Sequence, residues 1–330
     1  MEVNVDQSKK NSTVMTFLKN NPKLCLYPFS GLVVNPDGRI SPCCHSPATT
    51  LTHINDVDNL NDYFNETTYW AMRHSFQELK EIPKTTCNVC IDRFPNHPFK
   101  NRNPNLPYDS NNFSKNRKII RYLEYTPSNL CNQACAMCGS PYSSKWESID
   151  KIALENNEIQ FRYANEKDHR TRSANNLKLS DENFNKIVKC IEDGVSYLYI
   201  KGGEPFADER NLDLLERIIY EKFPYLQNIG ISTNLKRMDK KVFNIFKRLH
   251  NKFGKDLKVS VSLDAIEKQY DWIRSSSWER LVDNTNKLYS EVPNFKYNCS
   301  VTLTIYNYFN LCETFDGISK LKNSSGITGR

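Results

Sequence analysis

The chain has 330 residues, of which 38% are hydrophobic, 25% charged and 12% aromatic, a composition that excludes a disordered tail or a fibrous repeat. The net charge of +7, from 45 basic and 38 acidic residues, is far weaker than the footprint of a dedicated nucleic-acid binder. No run approaches the roughly 18 apolar residues of a membrane span, and the first residues lack the apolar stretch of a signal peptide, so the chain is expected in the cytoplasm, where its eleven cysteines stay reduced.

In chain order, residues 1–114 are rich in Pro, Asn and Cys. Leu32 to Val34 and Arg39 to Ser41 read as short strands around the turn Pro36-Asp37-Gly38, with proline and glycine where a tight hairpin wants them. A single helix is predicted from Leu60 to Leu79. Pro95, Pro98, Pro104 and Pro107 mark a linker. From 115 to 330 strands and helices alternate. Strands are predicted from Ile119 to Tyr125, Ser196 to Ile200, Ile229 to Thr233, Leu257 to Leu263 and Tyr297 to Ile305. Helices are predicted from Ser180 to Glu192, Leu212 to Lys222, Asp239 to Lys252 and Trp278 to Tyr289, the first with Ser180 as its cap. This order implies an α/β fold with a parallel sheet or barrel, whose chemistry gathers at the C-terminal ends of the strands.

The first of these strands leads into Cys131-Asn-Gln-Ala-Cys135-Ala-Met-Cys138, a C-x3-C-x2-C array. Three thiolates within eight residues can converge on one metal centre without long-range folding, and three ligands leave a coordination position open. A structural zinc site wants four closed ligands, so an incomplete iron-sulfur site is the better reading than packed thiols or zinc. The next strand ends in Gly202-Gly203-Glu204-Pro205, where two glycines admit a ligand close to the backbone and Glu204 offers an acceptor for an ammonium group.

The cysteine array resembles the signature of radical S-adenosylmethionine enzymes. The resemblance implies a partial (β/α)6 TIM-like barrel and a [4Fe-4S] cluster on Cys131, Cys135 and Cys138. Its open iron would be chelated by S-adenosylmethionine, which is cleaved to a 5′-deoxyadenosyl radical. It assigns Gly202, Gly203, Glu204 and Pro205 to the methionine amino group. Ser232-Thr233-Asn234 resembles the family's Thr-Asn-Gly, with Leu235 where glycine is common. Ser262-Leu263-Asp264 followed by Arg274 resembles its Ser-x-Asp and arginine, which face the ribose or the carboxylate. Met137 stands where an aromatic residue usually lies beside the adenine. Five predicted strands are one short of six, which suggests an abbreviated barrel or a fragment with an exposed edge.

A second group comprises Cys25, Cys43, Cys44, Cys87 and Cys90. A hairpin uniting Cys25 and Cys43 with a Cys87-x2-Cys90 knuckle offers four thiolates, for zinc or for a fully ligated cluster. The pattern resembles the auxiliary-cluster module of the same superfamily, called twitch or SPASM, which implies an auxiliary [4Fe-4S] cluster on Cys25, Cys43, Cys87 and Cys90. Here the module precedes the radical core. Cys190, Cys299 and Cys312 fall in helix or strand patterns and are expected to be core thiols. Tyr163, Arg170 and Arg172 lie in a polar stretch with His169. The resemblance implies hydrogen abstraction from a peptide or protein, or from a small molecule such as a sugar or aminocyclitol. The electron donor would be a reduced flavodoxin or ferredoxin. The competing class is a non-catalytic iron-sulfur or zinc protein.

Overall fold

The computed structural model of the chain describes residues 25–43, 51–79, 81, 83, 87, 118–156 and 177–321, and the backbone of 324–329. Cys44, Cys90, His45, His97, Tyr163, His169, Arg170, Arg172 and the proline-rich linker lie outside the described residues. The elements begin with α1 (Tyr27–Ser30), β1 (Gly31–Val34), β2 (Arg39–Ser41), β3 (Thr52–His53), α2 (Leu60–Tyr63), α3 (Thr67–Gln77), β4 (Tyr122–Tyr125) and α4 (Glu147–Glu155). They continue with α5 (Asp181–Gly194), β5 (Tyr197–Ile200), α6 (Glu209–Tyr220), β6 (Asn228–Thr233), α7 (Lys240–Phe253) and β7 (Leu257–Ser262). Last come α8 (Glu267–Arg274), α9 (Trp278–Glu291), β8 (Tyr297–Val301), α10 (Leu311–Ser319) and β9 (Ser324–Gly329).

The chain forms two compact units, one of Met1–Glu124, Asp181–Leu198 and Pro224–Leu226, the other of Tyr125–Ser180, Tyr199–Phe223 and Gln227–Arg330. In the first, β1, β2 and β3 form an antiparallel ribbon with Val33 opposite Ser41 and Ile40 opposite Thr52. Its hairpin turn closes through Gly38 N donating to Asn35 O at 2.9 Å. Gly38 has φ +83, and a Cβ there would stand 2.6 Å from the His53 ring, whose Nε2 bonds Asp37 O. His53 is thereby a structural clasp of the hairpin.

The single helix predicted from Leu60 to Leu79 is in fact two. Asn65 Nδ2 donates to Asn61 O and to Lys118 O, both at 2.7 Å, so its side chain takes a carbonyl the helix would have used. Glu66, in an extended conformation, then starts α3. Arg73 on α3 donates to Pro28 O and Phe64 O, both at 2.9 Å, which satisfies a buried cation with carbonyl oxygens. Asn183 on α5 donates to Asn55 Oδ1 at 2.6 Å.

In the second unit β6, β7, β8 and β9 run parallel, with Ile231 opposite Val259, Val261 opposite Cys299 and Cys299 opposite Ile327. β9 supplies the sixth core strand that the sequence reading lacked. Ser324–Gly329 has no apolar alternation to announce a strand, and it is ordered by the hydrogen-bonding edge that β8 leaves open. The helices pack their apolar stripes inward: Val242, Phe243, Ile245, Phe246 and Leu249 are buried on α7, spaced to lie on one face. Phe246 meets Phe206 at 4.7 Å and Phe295 at 5.9 Å between ring centroids. Asp239 caps α7, accepting from Val242 N at 3.0 Å. Cys190 and Cys299 are buried, but Cys312 is exposed on α10, against the expectation of a core thiol. Its neighbour Glu313 is exposed too, because α10 buries Thr314 and Ile318 instead. Among the described residues no helix is long and apolar enough to cross a membrane.

Candidate functional site

Parallel strands place their C-terminal ends at one edge, so the loops after β4, β5, β6 and β7 carry the candidate residues. The loop after β4 holds Cys131, Cys135 and Cys138. It is fixed from within: Ser143 Oγ donates to Gln133 O at 2.6 Å, Trp146 Nε1 to Cys135 O at 3.0 Å, and Asn129 Nδ2 to Ser140 O at 2.8 Å. Other elements also hold it. Asn234 Nδ2 after β6 donates to Asn132 Oδ1 at 2.7 Å, Lys236 Nζ to Asn132 O at 3.0 Å, and Ala136 N donates to Ile273 O of α8 at 2.8 Å.

Cys131 and Cys135 are buried and Cys138 is half-buried. Burial pushes the Cys131 thiol up to about 11 and the Cys138 thiol up to about 12, with the other two cysteines' charges adding to the rise at Cys138. Burial also raises Cys135; the Arg274 guanidinium works against the rise and the Asp264 carboxylate adds to it. Among the described residues no three His, Cys, Asp or Glu side chains converge as on one metal ion. The donor set is nonetheless three thiols on one braced loop, facing two cations, Arg274 and Lys236, whose fields reach them. The Nε of Arg274 is buried without a partner among the described residues, and the Arg274 carbonyl accepts from Cys135 Sγ at 3.6 Å. These residues fit an anionic, thiolate-ligated group.

Gly202 and Gly203 follow β5 with φ +77 and +51, a left-handed pair that L side chains adopt only with strain. A Cβ on Gly203 would stand 2.4 Å from Leu130 O and 2.9 Å from Ser128 O, so this glycine lets the β5 loop lie against the backbone just before Cys131. Glu204 N donates to Leu130 O at 2.8 Å. The Glu204 carboxylate is 3% exposed and accepts from Phe206 N at 3.2 Å, Thr233 Oγ1 at 2.7 Å and Asn234 N at 2.6 Å. Burial raises its pKa, and these three donors work against the rise. A carboxylate offers about four acceptor sites, so one remains for an ammonium group, while the other three tie the β5 loop to the end of β6.

Leu235 has φ +55, which explains why glycine suits this position. The left-handed conformation costs an L residue about 1–2 kcal/mol. Burial of the side chain to 1% exposure offsets this, as do the hydrogen bonds Leu235 N to Thr233 Oγ1 at 3.0 Å and Asn284 Nδ2 to Leu235 O at 2.7 Å. Ser262 is half-buried at the end of β7, and Met137 is half-buried in the cysteine loop. Pro205 is buried and opens a short turn of helix before α6. Arg274 closes α8 and pairs with Asp264 at 2.9 Å, an engagement the sequence did not announce. Sequence reasoning also missed Asn132 and Lys236, and it quoted Thr233 in a motif without its bond to Glu204. A polar residue after a strand was a signal for Lys236, but nothing in its spacing told which loop it would hold.

In the other unit Cys25, Cys43 and Cys87 are half-buried. Tyr69 on α3 is fully buried, and its hydroxyl has no hydrogen-bond partner. Its pKa is raised by burial first, then by the charges of Tyr63, Cys43 and Cys87, so both cysteines lie within electrostatic reach of one orphaned phenol. Cys43 follows β2 of the hairpin and Cys87 follows α3, so the fold brings them from separate elements toward one helix. A sulfur-rich group accepting from that hydroxyl fits the residues present.

Comparison with known proteins agrees with this geometry. The family model of the radical SAM superfamily matches residues 125–316, and that of SPASM, an iron-sulfur cluster-binding domain, matches residues 25–91. A search of curated proteins finds no match. The structure of Streptococcus suis SuiB bound to S-adenosylmethionine is similar at 18% identity over 64% of this chain and 39% of that chain, with a TM-score of 0.38. Streptococcus suis SuiB alone is 16% identical over 76% of this chain and 52% of that chain, TM-score 0.39. TYW1 with a lysine-pyruvate adduct bound is 14% identical over 61% of both chains, TM-score 0.32. The chain thus spans about two fifths to three fifths of the length of these structures.

Proposed function

The chain belongs to the radical SAM superfamily, which uses a [4Fe-4S] cluster with S-adenosylmethionine, and carries a SPASM domain, which binds an auxiliary iron-sulfur cluster; on that premise we propose that it abstracts a hydrogen atom from a peptide or protein substrate. The observation that carries the reading is the braced three-cysteine loop after β4, laid against the Gly202-Gly203 backbone. When bound, the cluster supplies the electron that splits S-adenosylmethionine into methionine and a 5′-deoxyadenosyl radical. Cys131, Cys135 and Cys138 would hold it. Glu204 receives the amino group at its fourth acceptor site, while Ser262 and Met137 line the nucleoside. Burial of Cys131, Cys135 and Glu204 keeps water from the reacting centre.

Cys25, Cys43, Cys87 and Cys90 hold the auxiliary cluster in this reading, over a domain of residues 1–114 ahead of a radical core of 115–330. A closed cluster would be able to take the electron left on the substrate after abstraction, and a peptide as that substrate follows from the module's resemblance to the twitch or SPASM type. A reduced flavodoxin or ferredoxin supplies the first electron. Anaerobic reconstitution tests the assignment. The wild-type chain should take about eight irons and bind S-adenosylmethionine, and the Cys131→Ala/Cys135→Ala/Cys138→Ala variant should keep about four and lose that binding. Equal iron in both would overturn it.

A further inference from the structure

The residues around Cys135 include an ion pair anchored on several sides. Arg274 and Asp264 pair at 2.9 Å, the aspartate buried with its side chain 1% exposed and the arginine half-buried at 12%. Asp264 is itself immobilised: its Oδ1 accepts from Thr302 N at 2.7 Å and its carbonyl from Asn307 Nδ2 at 2.9 Å. The Arg274 carbonyl accepts from Cys135 Sγ at 3.6 Å, and Ile273 O from Ala136 N at 2.8 Å, so the arginine and the cysteine loop share one anchor. One guanidinium donor, Nε, is buried and unpartnered among the described residues. A largely enclosed cation paired with a carboxylate, on a residue whose backbone touches the Cys135 sulfur, acts where a lowered dielectric leaves its field less screened than in water.

We propose that Asp264 is a positioning residue which fixes Arg274 beside Cys135, and that the two opposed charges tune, in opposite directions, the reduction potential of the cluster held by the three cysteines. The inference rests on the assignment of Cys131, Cys135 and Cys138 as ligands. Both charges are felt at Cys135, with opposite signs, the arginine more strongly. One electron enters the cluster from the reductant, and no proton moves. Added negative charge is easier to accommodate beside a cation and harder beside an anion, so the two halves of the pair must work in opposite directions.

The test is a dithionite titration of the reconstituted full chain without S-adenosylmethionine, following by electron paramagnetic resonance the signal that responds when that cofactor is later added. Arg274→Gln leaves Asp264 uncompensated and should shift the potential negative. Asp264→Asn leaves Arg274 uncompensated and should shift it positive. The Asp264→Asn/Arg274→Gln double variant and Arg274→Lys should both return toward wild type, and the auxiliary cluster should not move in any of them. Shifts of the same sign in the two single variants, or none at full iron content, would overturn the proposal. So would a Lys variant displaced as far as the Gln variant, which also decides the case if either single variant fails to load iron. Loss of the responsive signal from the wild type itself would instead overturn the ligand assignment.

Discussion

Replacing Gly203 with alanine probes how the β5 loop and the cysteine loop depend on each other. At φ +51 an L residue pays about 1–2 kcal/mol, and alanine's smaller unfolded-state freedom returns about 0.4–1 kcal/mol. These nearly cancel, so the contact decides. The new Cβ would stand 2.4 Å from Leu130 O, against an ordinary 3.4 Å, and the carbonyl next to Cys131 must retreat by about 1 Å. Overpacking of this kind costs about 1–3 kcal/mol, giving a net loss of about 1–4 kcal/mol together with a displaced Cys131. Urea denaturation of the metal-free protein should show the loss, and iron incorporation should fall selectively for the cluster on the β4 loop. Gly202→Ala is the informative contrast. Its Cβ would meet Thr126 Cγ2 at 2.1 Å, a side-chain atom, so adding Thr126→Ala should recover part of the stability. No side-chain substitution can relieve Gly203→Ala, whose obstacle is backbone. A Gly203→Ala protein with the wild-type denaturation midpoint and full iron would refute this reasoning.

Glu204→Gln should destabilise the protein by about 1–3 kcal/mol in urea denaturation, because the NH2 that replaces one carboxylate oxygen cannot accept from Asn234 N or, with the amide turned round, from Phe206 N and Thr233 Oγ1; unchanged stability would mean those bonds are dispensable. Ligation of a cluster needs thiolates and releases protons. Because the Cys131 and Cys138 thiols are raised to about 11 and 12, iron incorporation at fixed reagent concentration should improve steadily from about pH 7 to 9, and a flat profile would contradict the raised values. In the metal-free protein the same shifts favour the folded, protonated thiols. That contribution is complete below the unfolded cysteine's value of about 8.5 and is lost as the pH rises through about 11. Urea midpoints should therefore decline over that interval. Iodoacetamide under native conditions should label Cys312 well before Cys190 or Cys299, as read by peptide mapping, since burial protects the latter two.

Much of the architecture was legible because the relevant signals are local. The capping Asp239, the Pro36-Asp37-Gly38 turn and the β-branched strands around 229–233 and 257–263 each determine structure within a few residues. The cysteine array and the Gly-Gly-Glu-Pro turn were likewise readable, since short spacing encodes their chemistry. What stayed hidden depends on distant partners. β9 is a strand because β8 offers an edge, and the break after α2 arises because Asn65 reaches Lys118, more than fifty residues on. The exposure of Cys312 follows from which face α10 turns inward. Arg274 was singled out by motif as a partner for a carboxylate, and the structure gives it one within the chain, Asp264, whose own anchors come from the loop after β8.

The central claim is that the Cys131, Cys135 and Cys138 loop supports reductive cleavage of S-adenosylmethionine. Its most direct measurement is 5′-deoxyadenosine and methionine formed by the anaerobically reconstituted, dithionite-reduced chain. The account predicts equal amounts of the two products from the wild type and none from Cys131→Ala. Cleavage that persists in Cys131→Ala, or a fully iron-loaded wild type that binds S-adenosylmethionine without cleaving it, would contradict it.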